Sequence, residues 1–374
     1  MTRPLVSVII PCRNAATTLP ETLASVMQQS WPAIEIIVVE NNSTDGSAAV
    51  ARDALAGYMG VSQVIASSAT GANRAREIGF AQSSGDYVQW LDADDTLGRD
   101  KIERQLRALE SSPEHDIAHG DWVWEQTIPG LRAPPGARLN FQIYAIAYGS
   151  REWRRCQRRE YVASCSFVTG PTTDYLLRLL ADWWAPPHVY LVRRRAAAWL
   201  HEHKAWSPEA HCADDREYFT SAALHGFRFL HVEGADAVYN TRHGSGQITQ
   251  RTSQQERAQA LAGMQQRLSR VPRRPDAPPL TDEHRFLLHV DRRTFQPPRG
   301  PDLAAASSAS PGMGTLHEVF TRIMNPDTLE QHAKVIAWHA PGLWERHVTI
   351  LRELQRLGEI GAIKPIIPFP GNMQ

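Results

Sequence analysis

Three carboxylates lie within four residues in the segment "DADD", at Asp92, Asp94 and Asp95. Alternate side chains of an extended segment point the same way, so Asp92 and Asp94 are predicted to converge. Crowded carboxylates repel one another unless a cation lies between them. Hard divalent ions such as Mg²⁺ or Mn²⁺ take oxygen ligands and often bridge to phosphates. The segment therefore predicts a metal-assisted phosphate site, with the alternative that an aspartate starts a helix predicted at 99–110.

Two further polar loops also follow predicted strands. The segment "PCRN" (11–14) follows an apolar run at 5–10, and "ENNSTDG" (40–46) follows another at 34–39. The segment "DADD" itself follows the run "DYVQWL". Ligands of open parallel sheets bind at the carboxyl ends of the strands. The three loops are therefore expected to line one crevice.

The first hundred residues alternate between apolar strands and helical patterns, which predicts how these loops are positioned. Apolar residues recur at helical spacing after the first strand, at Leu19, Leu23, Val26 and Met27. Thr18 and Glu21 form a capping-box pattern at the start of that helix. Further helices are predicted near 46–56 and at 72–82, with a strand at 61–66. Strands that are apolar on both faces and alternate with helices predict an α/β fold with an open, mostly parallel, doubly wound sheet and helices on both faces.

The alternation loosens from about residue 116. A helix is predicted at 214–226, ending at Gly226. We predict that residues 1–115 and 116–250 form two halves of one domain. A helix and a Pro/Ser-rich linker are predicted for residues 251–315, and a mainly helical C-terminal extension for residues 316–374.

Composition excludes several classes of function. The chain has 374 residues with 40 Lys+Arg and 40 Asp+Glu, and a net charge of zero argues against a nucleic-acid binder. The basic runs "RRCQRRE" and "VRRRAAA" are interpreted as solvated faces. No apolar run approaches the ~20 residues of a membrane span. The four cysteines lack metal-ligand spacing. A cytoplasmic protein is expected, with at most a peripheral contact at the inner face of the membrane.

Common phosphate-binding and hydrolase motifs are absent from the sequence. There is no G-x-G-x-x-G after the first strand, no G-x-x-x-x-G-K-[ST] and no G-x-S-x-G. Phosphates would therefore be held by a metal and by arginine rather than by a glycine-rich loop.

The chain resembles the family 2 glycosyltransferases of the GT-A fold. The resemblance rests on "VSVIIPCRN", "IEIIVVENNSTD" and "GANRAREIGFAQSSGDYVQWLDADD", in that order. It is dense over about residues 5–110 and weaker over 189–250. It implies an inverting transfer of a sugar from a nucleotide-sugar donor, helped by Mn²⁺ or Mg²⁺.

The resemblance also implies the residues that contact the donor, which are Pro11, Arg13, Asn14, Glu40, Asn41, Arg76, Asp92 and Asp94. Asp94 would ligate the metal, and Asp92 would hold the ribose or metal region. Arg76 is implied for the diphosphate, and the Arg13 guanidinium can stack on the base. Glu77 stands where the family has an asparagine.

The acidic pair in "CADDREYF" resembles the family's pair at a helix start, whose second member is the general base. That implies Asp215 as the base, with helix capping as the alternative. The segment "VYNTRHGSGQIT" resembles the family's closing segment, which nominates His243 as a metal ligand; an ordinary surface histidine is the alternative. Trp183, Trp184 and Asp214 are candidates for acceptor binding, and the tryptophans would otherwise belong to the core.

The second loop bears on the nucleotide base. The family usually has two acids there, whereas this chain has Glu40 and then Asn41. Asn41 keeps one acceptor oxygen and adds an NH₂ donor. It can pair with the N–H and carbonyl edge of uracil. It is a poorer partner for guanine, whose N–H and NH₂ groups need two acceptors. A UDP-sugar is therefore predicted.

Three other interpretations compete with a glycosyltransferase. A sugar nucleotidyltransferase would have a G-G-x-G-x-R-L loop after the first strand, which "PCRNAATTL" is not. A nucleotide-sugar-binding protein without transfer activity would have a broken D-x-D motif or would lack the base. This chain has both the D-x-D motif and a candidate base. The C-terminal helices could dock a partner without conflict with an enzyme. The sugar, the acceptor (glycan, lipid-linked glycan, peptide or small molecule) and the oligomeric state are left open.

Overall fold

The structure is a computed structural model, and it describes part of the chain. The described residues are 3–127, 139–142, 163–167, 174–180, 185–210, 212–242, 254–281, 284–285 and 288. Trp183, Trp184, His243, the basic run "RRCQRRE" and the predicted C-terminal extension at 316–374 lie outside them.

The elements follow the alternation predicted for the first hundred residues. The strands are β1 (Val6–Cys12), β2 (Ile34–Asn41), β3 (Val61–Ser67), β4 (Tyr87–Trp90), β5 (Thr96–Leu97), β6 (Ile117–His119), β7 (Trp122–Thr127), β8 (Leu139–Gln142), β9 (Ala163–Phe167), β10 (Tyr190–Arg193), β11 (Phe229–His231) and β12 (Ala237–Arg242). The helices are α1 (Leu19–Met27), α2 (Ser47–Leu55), α3 (Ala72–Gln82), α4 (Lys101–Glu110), α5 (Tyr175–Leu180), α6 (Arg194–Glu202), α7 (Asp214–His225) and α8 (Gln254–Leu268), with a 3₁₀ turn at Pro187–Val189.

A seven-stranded sheet organises the site, with the order β11-β6-β10-β4-β1-β2-β3. Strand β1 pairs in parallel with β2 and β4, and β2 pairs in parallel with β3. Strand β10 runs antiparallel to both β4 and β6. All seven residues of β1 are buried, as expected for a parallel strand covered on both faces. The predicted open, mostly parallel sheet is confirmed.

Helices cover both faces of this sheet, as predicted. On one face, Val8 and Ile10 join a core with Leu19 of α1 and Leu106 of α4. On the other face, Ile37 and Val39 pack with Ala75 of α3. Glycine is required where α3 crosses the sheet, because a Cβ at Gly79 would lie 2.4 Å from the Ile9 Cγ2 methyl.

The parallel strands deliver the three polar loops to one edge of the sheet. Cys12 at the end of β1 is in register with Glu40 of β2, and Ile9 is in register with Trp90 at the end of β4. The polar segments that follow these strands therefore leave the sheet at the same edge, which confirms the expectation from the sequence.

The chain divides into two compact units. One comprises residues 1–127, 166–175 and 185–277, and the other comprises residues 128–165, 176–184 and 278–374. The seven-stranded sheet and all the site residues discussed below belong to the first unit. That unit also holds three strands of a second sheet, in which β12 pairs antiparallel with β5 and in parallel with β7. None of the helices in the described ranges is long and apolar enough to span a membrane.

In the basic run "VRRRAAA" (192–198), Arg195 is exposed, whereas Arg193 and Arg194 are half-buried, so the interpretation as a solvated face is wrong for those two residues. The Arg193 guanidinium donates to the Tyr87 hydroxyl at 2.9 Å. The Arg194 guanidinium donates to the Ser83 carbonyl at 2.7 Å. These arginines supply donors to polar groups around the start of β4 that need partners once buried.

Candidate active site

The first loop (11–14) and the second loop (40–46) are hydrogen-bonded to each other. The Asn14 Oδ1 accepts the Thr44 N–H at 2.8 Å, and the Asn14 N–H donates to Ser43 Oγ at 3.0 Å. Asn14 adopts a φ of 51°, a left-handed conformation that asparagine tolerates better than most residues. Pro11 is buried beneath the loop, whereas Arg13 is exposed. The two loops thus form one pre-organised edge that leaves Arg13 accessible.

Asn41 is buried beneath this edge, with only 2 % of its surface exposed. Its Nδ2 donates to the Gly71 carbonyl at 2.8 Å, and its buried Oδ1 has no hydrogen-bond partner. A carbonyl only accepts, so this contact fixes the orientation of the amide and leaves Oδ1 as the unused group. The neighbouring Glu40 accepts the backbone N–H of Ser43 and thereby closes the turn of the second loop.

The carboxylate loop, residues 92–95, is a turn rather than an extended segment. The Asp95 N–H donates to the Asp92 carbonyl at 3.1 Å. The extended conformation predicted from the alternation of Asp92 and Asp94 is therefore wrong, because the chain turns here as it passes from β4 of the main sheet to β5 of the second sheet. Helix α4 begins at Lys101 with Asp100 as its N-cap residue, so the carboxylate loop does not start that helix.

Arg76 joins the carboxylate loop to the start of α7. Its guanidinium donates to Asp92 at 2.6 Å and to Asp214 at 2.7 Å, although only 3 % of the residue is exposed. Asn73 accepts a further hydrogen bond from it at 2.9 Å, and the Trp206 ring lies 4.3 Å below it. Burial by itself would lower the pKa of this guanidinium, but the two carboxylates raise it above its ordinary value.

The predicted contact of Arg76 with the donor diphosphate stays a prediction, because the guanidinium is already hydrogen-bonded to two carboxylates. This bridge was not predicted from the sequence. Its partners are 16 and 138 residues away in the chain, so no local pattern signals the contact.

The predicted acidic pair occupies the first two positions of α7. Asp214 is half-buried against Arg76, and Asp215 is 9 % exposed. The residue at the N-cap position is Ala213, and no side chain caps the helix. An acidic residue near a helix N-terminus is stabilised by the unpaired N–H groups and the helix dipole. The assignment of Asp215 as the general base stays a prediction.

Thr18 holds the carboxylate loop from the side of α1. Its hydroxyl donates to the Ala93 carbonyl at 2.8 Å, and no side chain makes a cap bond at the start of α1. The capping box predicted for Thr18 and Glu21 is therefore wrong. The tertiary contact with Ala93 outcompetes the local one, because the Ala93 carbonyl would otherwise be buried without a donor.

Helix α8 supports α7 through a contact that was also missed. Arg267 of α8 donates two hydrogen bonds to Glu217 of α7, each 2.7 Å long. Glu217 is buried and lies two residues after Asp215. A bidentate pair of this kind fixes the relative orientation of the two side chains. Helix α8 is thus expected to stabilise the helix that carries the predicted base.

Replacing Arg267 with Met should lower the free energy of unfolding by about 2 kcal/mol, because Glu217 would be left buried without a partner. Urea denaturation measures the change. Arg270, exposed just after the same helix, supplies the matched control. Arg270→Met should change stability by less than about 0.5 kcal/mol. Equal effects of the two substitutions would show that the Glu217 pair contributes nothing specific.

The arrangement brings together most of the predicted site residues. Described at this edge of the sheet or in contact with it are Pro11, Arg13, Asn14, Glu40, Asn41, Arg76, Asp92, Asp94 and Asp214, and Asp215 is the residue after Asp214. His243, Trp183 and Trp184 lie outside the described residues. No cluster of three His, Cys, Asp or Glu side chains suited to a metal forms within the part of the chain that the structure describes.

Comparison with known families gives one match in the N-terminal part of the chain. The profile of "Glycosyl transferase family 2" matches residues 7–168. This range includes the first loop, the second loop, Arg76 and the carboxylate loop.

Curated relatives align with the same part of the chain. An uncharacterized glycosyltransferase of Haemophilus influenzae is 35% identical over 109 residues, which are 29% of this chain and 44% of that protein. The putative teichuronic acid biosynthesis glycosyltransferase TuaG of Bacillus subtilis is 40% identical over 111 residues, 29% of this chain and 42% of that protein. The chain therefore spans less than half the length of these two relatives.

Solved structures resemble the chain over most of its length. A mannosyltransferase of Pyrobaculum calidifontis, in complex with GDP-Man and Mn²⁺, has a TM-score of 0.52 at 20% identity and covers 92% of this chain and 89% of its own. S. aureus TarS 1–349, in complex with UDP-GlcNAc, has a TM-score of 0.53 at 15% identity, with coverages of 95% and 92%. Identities this low show the fold alone. Residues 7–168 thus match glycosyl transferase family 2, and the chain has the GT-A fold of these solved structures.

Proposed function

We propose that this protein transfers a sugar from a nucleotide-diphosphate donor to an acceptor nucleophile with inversion, using a divalent metal and Asp215 as general base. The observation that carries the proposal is the Arg76 bridge. One guanidinium contacts Asp92 of the carboxylate loop and Asp214, the neighbour of Asp215. Arg76 thereby links the carboxylate loop to the residue beside the predicted base, which supports one shared site.

The residues at the carboxylate loop fit a metal that is shared with a diphosphate. Asp94 is partly exposed in the turn, whereas one oxygen of Asp92 is taken by Arg76. Magnesium sites that serve phosphates commonly use one or two carboxylates and complete their shell with phosphate oxygens and water. Asp94 would hold such an ion, with His243 as a second ligand. When bound, the metal supplies charge neutralisation for the leaving diphosphate.

Asp215 would take the proton of the acceptor. Inversion requires the nucleophile to attack the anomeric carbon from the face opposite the nucleotide. A carboxylate within hydrogen-bond reach of that nucleophile accepts its proton as the new bond forms. The start of α7 suits this task, because Asp214 is held by Arg76 while Asp215 is the next residue along the chain.

Asn41 supports a uridine donor over a guanosine donor. Its Nδ2 is engaged by Gly71, so the buried Oδ1 is the acceptor that this side chain would offer to a base. The uracil edge has a single N–H, which one acceptor satisfies. The guanine edge has an N–H and an NH₂ group and would leave a donor unpaired. The two similar structures contain GDP-Man and UDP-GlcNAc, so the fold accommodates either base and local residues must decide.

The base preference can be tested by calorimetry with Mn²⁺ present. UDP is expected to bind more tightly than GDP, and Asn41→Leu should weaken UDP binding by about tenfold, as expected for the loss of one buried hydrogen bond. The control is GDP binding to the same variant, which should fall less. Tighter binding of GDP than of UDP by the wild type would overturn the uridine assignment.

A further inference from the structure

One buried asparagine joins α3 to the segment that precedes α7. Asn73 is the second residue of α3 and is only 4 % exposed. Its Nδ2 donates to the Ser207 carbonyl at 2.8 Å and to the Ala210 carbonyl at 3.3 Å. The Ala210 N–H donates in turn to the Ser207 carbonyl, which closes a short turn over residues 207–210. One side-chain amide therefore holds both ends of this turn.

The other end of the Asn73 amide belongs to the Arg76 bridge. Its Oδ1 accepts a hydrogen bond from the Arg76 guanidinium at 2.9 Å. A guanidinium only donates, so this contact fixes the orientation of the amide and directs Nδ2 toward the turn. Arg76 also donates to Asp214, the first residue of α7. Asn73 and Arg76 together thus hold the chain at Ala210 and again at Asp214.

Trp206 packs the same segment between α3 and α7. Its ring lies 4.3 Å from the Arg76 guanidinium carbon and stacks on the Tyr218 ring of α7, with the centroids 4.2 Å apart. Only 2 % of Trp206 is exposed. Tyr218 lies three residues after Asp215, which is about one helical turn. The segment 205–210 is therefore fixed against the part of α7 that carries the predicted base.

The residue just before the acidic pair adopts an unfavourable backbone conformation. Ala213, the N-cap residue of α7, has a φ of 57° and a ψ of 27°, in the left-handed region. Residues with a Cβ are disfavoured there and persist where the surrounding structure imposes the conformation. The anchors at Ala210 and Asp214 supply such a constraint. The direction in which α7 begins, and with it the place of Asp215, is therefore expected to depend on Asn73.

We propose that Asn73 is a positioning residue, which places Asp215 for proton transfer by anchoring the turn 207–210 and the Arg76 guanidinium. The proposal rests on the proposed function, in which Asp215 is the general base. It adds that Asn73 acts on the rate of transfer through Asp215 and contributes nothing to nucleotide binding. A shift of about 1 Å in a catalytic group can cost about 100-fold in rate, so a residue that does not touch the substrate can have a large effect.

The test measures kcat for UDP release from a panel of UDP-sugars with Mn²⁺, beside UDP binding by calorimetry. Asn73→Leu, which keeps the size of the side chain but removes its polar atoms, should lower kcat by about 10- to 100-fold. UDP binding should be unchanged, because Arg76 keeps its contact with Asp92. Gln82→Leu removes an exposed amide at the end of the same helix and is the matched control, which should alter neither quantity.

A double-mutant cycle shows whether Asn73 acts through Asp215. In a chain that already carries Asp215→Asn, Asn73→Leu should lower the residual UDP release far less than it does in the wild type, because the effects of residues that act as a unit are not additive. A purely structural role would lower UDP release by the same factor in both backgrounds, and that result would overturn the inference.

The remaining outcomes separate this inference from the proposed function. A wild type that releases UDP from no donor, or an Asp215→Asn variant with near wild-type release, would refute the proposed function and the inference with it. Loss of release in Asp215→Asn, beside wild-type kcat in Asn73→Leu, would refute the inference alone. So would a fall in UDP binding that parallels the fall in kcat.

A second variant keeps the test decisive if Asn73→Leu does not fold. Asn73→Asp has the shape of the wild-type side chain and keeps an acceptor for Arg76, but an ionised carboxylate has no donor for the two carbonyls of the turn. It should show the same loss of kcat with unchanged UDP binding. Wild-type kcat in Asn73→Asp would refute the inference.

Discussion

Replacing Asp215 with Asn is expected to lower the rate of sugar transfer by about 100- to 10,000-fold, the usual contribution of a general base. The amide has the same shape as the carboxylate but does not accept the acceptor's proton. Binding of UDP with Mn²⁺ should be unchanged, because Asp215 would contact the acceptor rather than the nucleotide. Turnover with a UDP-sugar and calorimetry with UDP measure the two effects on the same preparation.

Two results would contradict this assignment in different ways. Transfer at a near wild-type rate would rule Asp215 out as the base. Loss of UDP binding together with transfer would show that the substitution disturbs the start of α7 and the Arg76 bridge. Asp53→Asn, at an exposed position in α2, is the matched control and should alter neither quantity.

Replacing Arg76 with Met is expected to lower the free energy of unfolding by about 3 kcal/mol. The substitution keeps a long apolar stem but leaves Asp92 and Asp214 facing each other without a cation, and removing one partner of a buried ion pair is strongly destabilising. Urea denaturation provides the measurement. Arg74, exposed on the same helix, is the control, and Arg74→Met should cost less than about 0.5 kcal/mol.

A double-mutant cycle distinguishes the loss of the bridge from a general loss of packing. In a chain that already carries Asp92→Asn and Asp214→Asn, Arg76→Met should cost clearly less than in the wild type, because no unpaired carboxylates remain. The same cost in both backgrounds would mean that Arg76 stabilises through its contact with Trp206 and not through the carboxylates.

The sheet and its edge of polar loops were predictable because their signals are local. The buried run of β1, the apolar run of β2 and the helix at 72–82 follow from periodicity over a few residues. The turn in the carboxylate loop was not predictable in this way. Alternating aspartates are compatible with an extended segment, and the turn arises where the chain passes from β4 of the main sheet to β5 of the second sheet.

The contacts that assemble the site depend on residues far apart in the chain. Arg76 and Asp214 are separated by 138 residues, and Glu217 and Arg267 by 50. Thr18 is a residue type that commonly caps helices, yet its hydroxyl donates to a carbonyl 75 residues away. In such cases the residue type indicates which hydrogen bonds a side chain could make, but the tertiary structure decides which partner it takes.

The central claim, that the chain is a metal-dependent sugar transferase, is tested most directly by nucleotide release from a panel of UDP- and GDP-sugars with Mn²⁺ or EDTA. Wild type and Asp94→Asn should be measured side by side. The account predicts UDP release from at least one donor, which requires Mn²⁺ and is lost in Asp94→Asn. If the wild type binds UDP with Mn²⁺ but releases no nucleotide from any donor, the chain is a nucleotide-sugar-binding protein, and the account is contradicted.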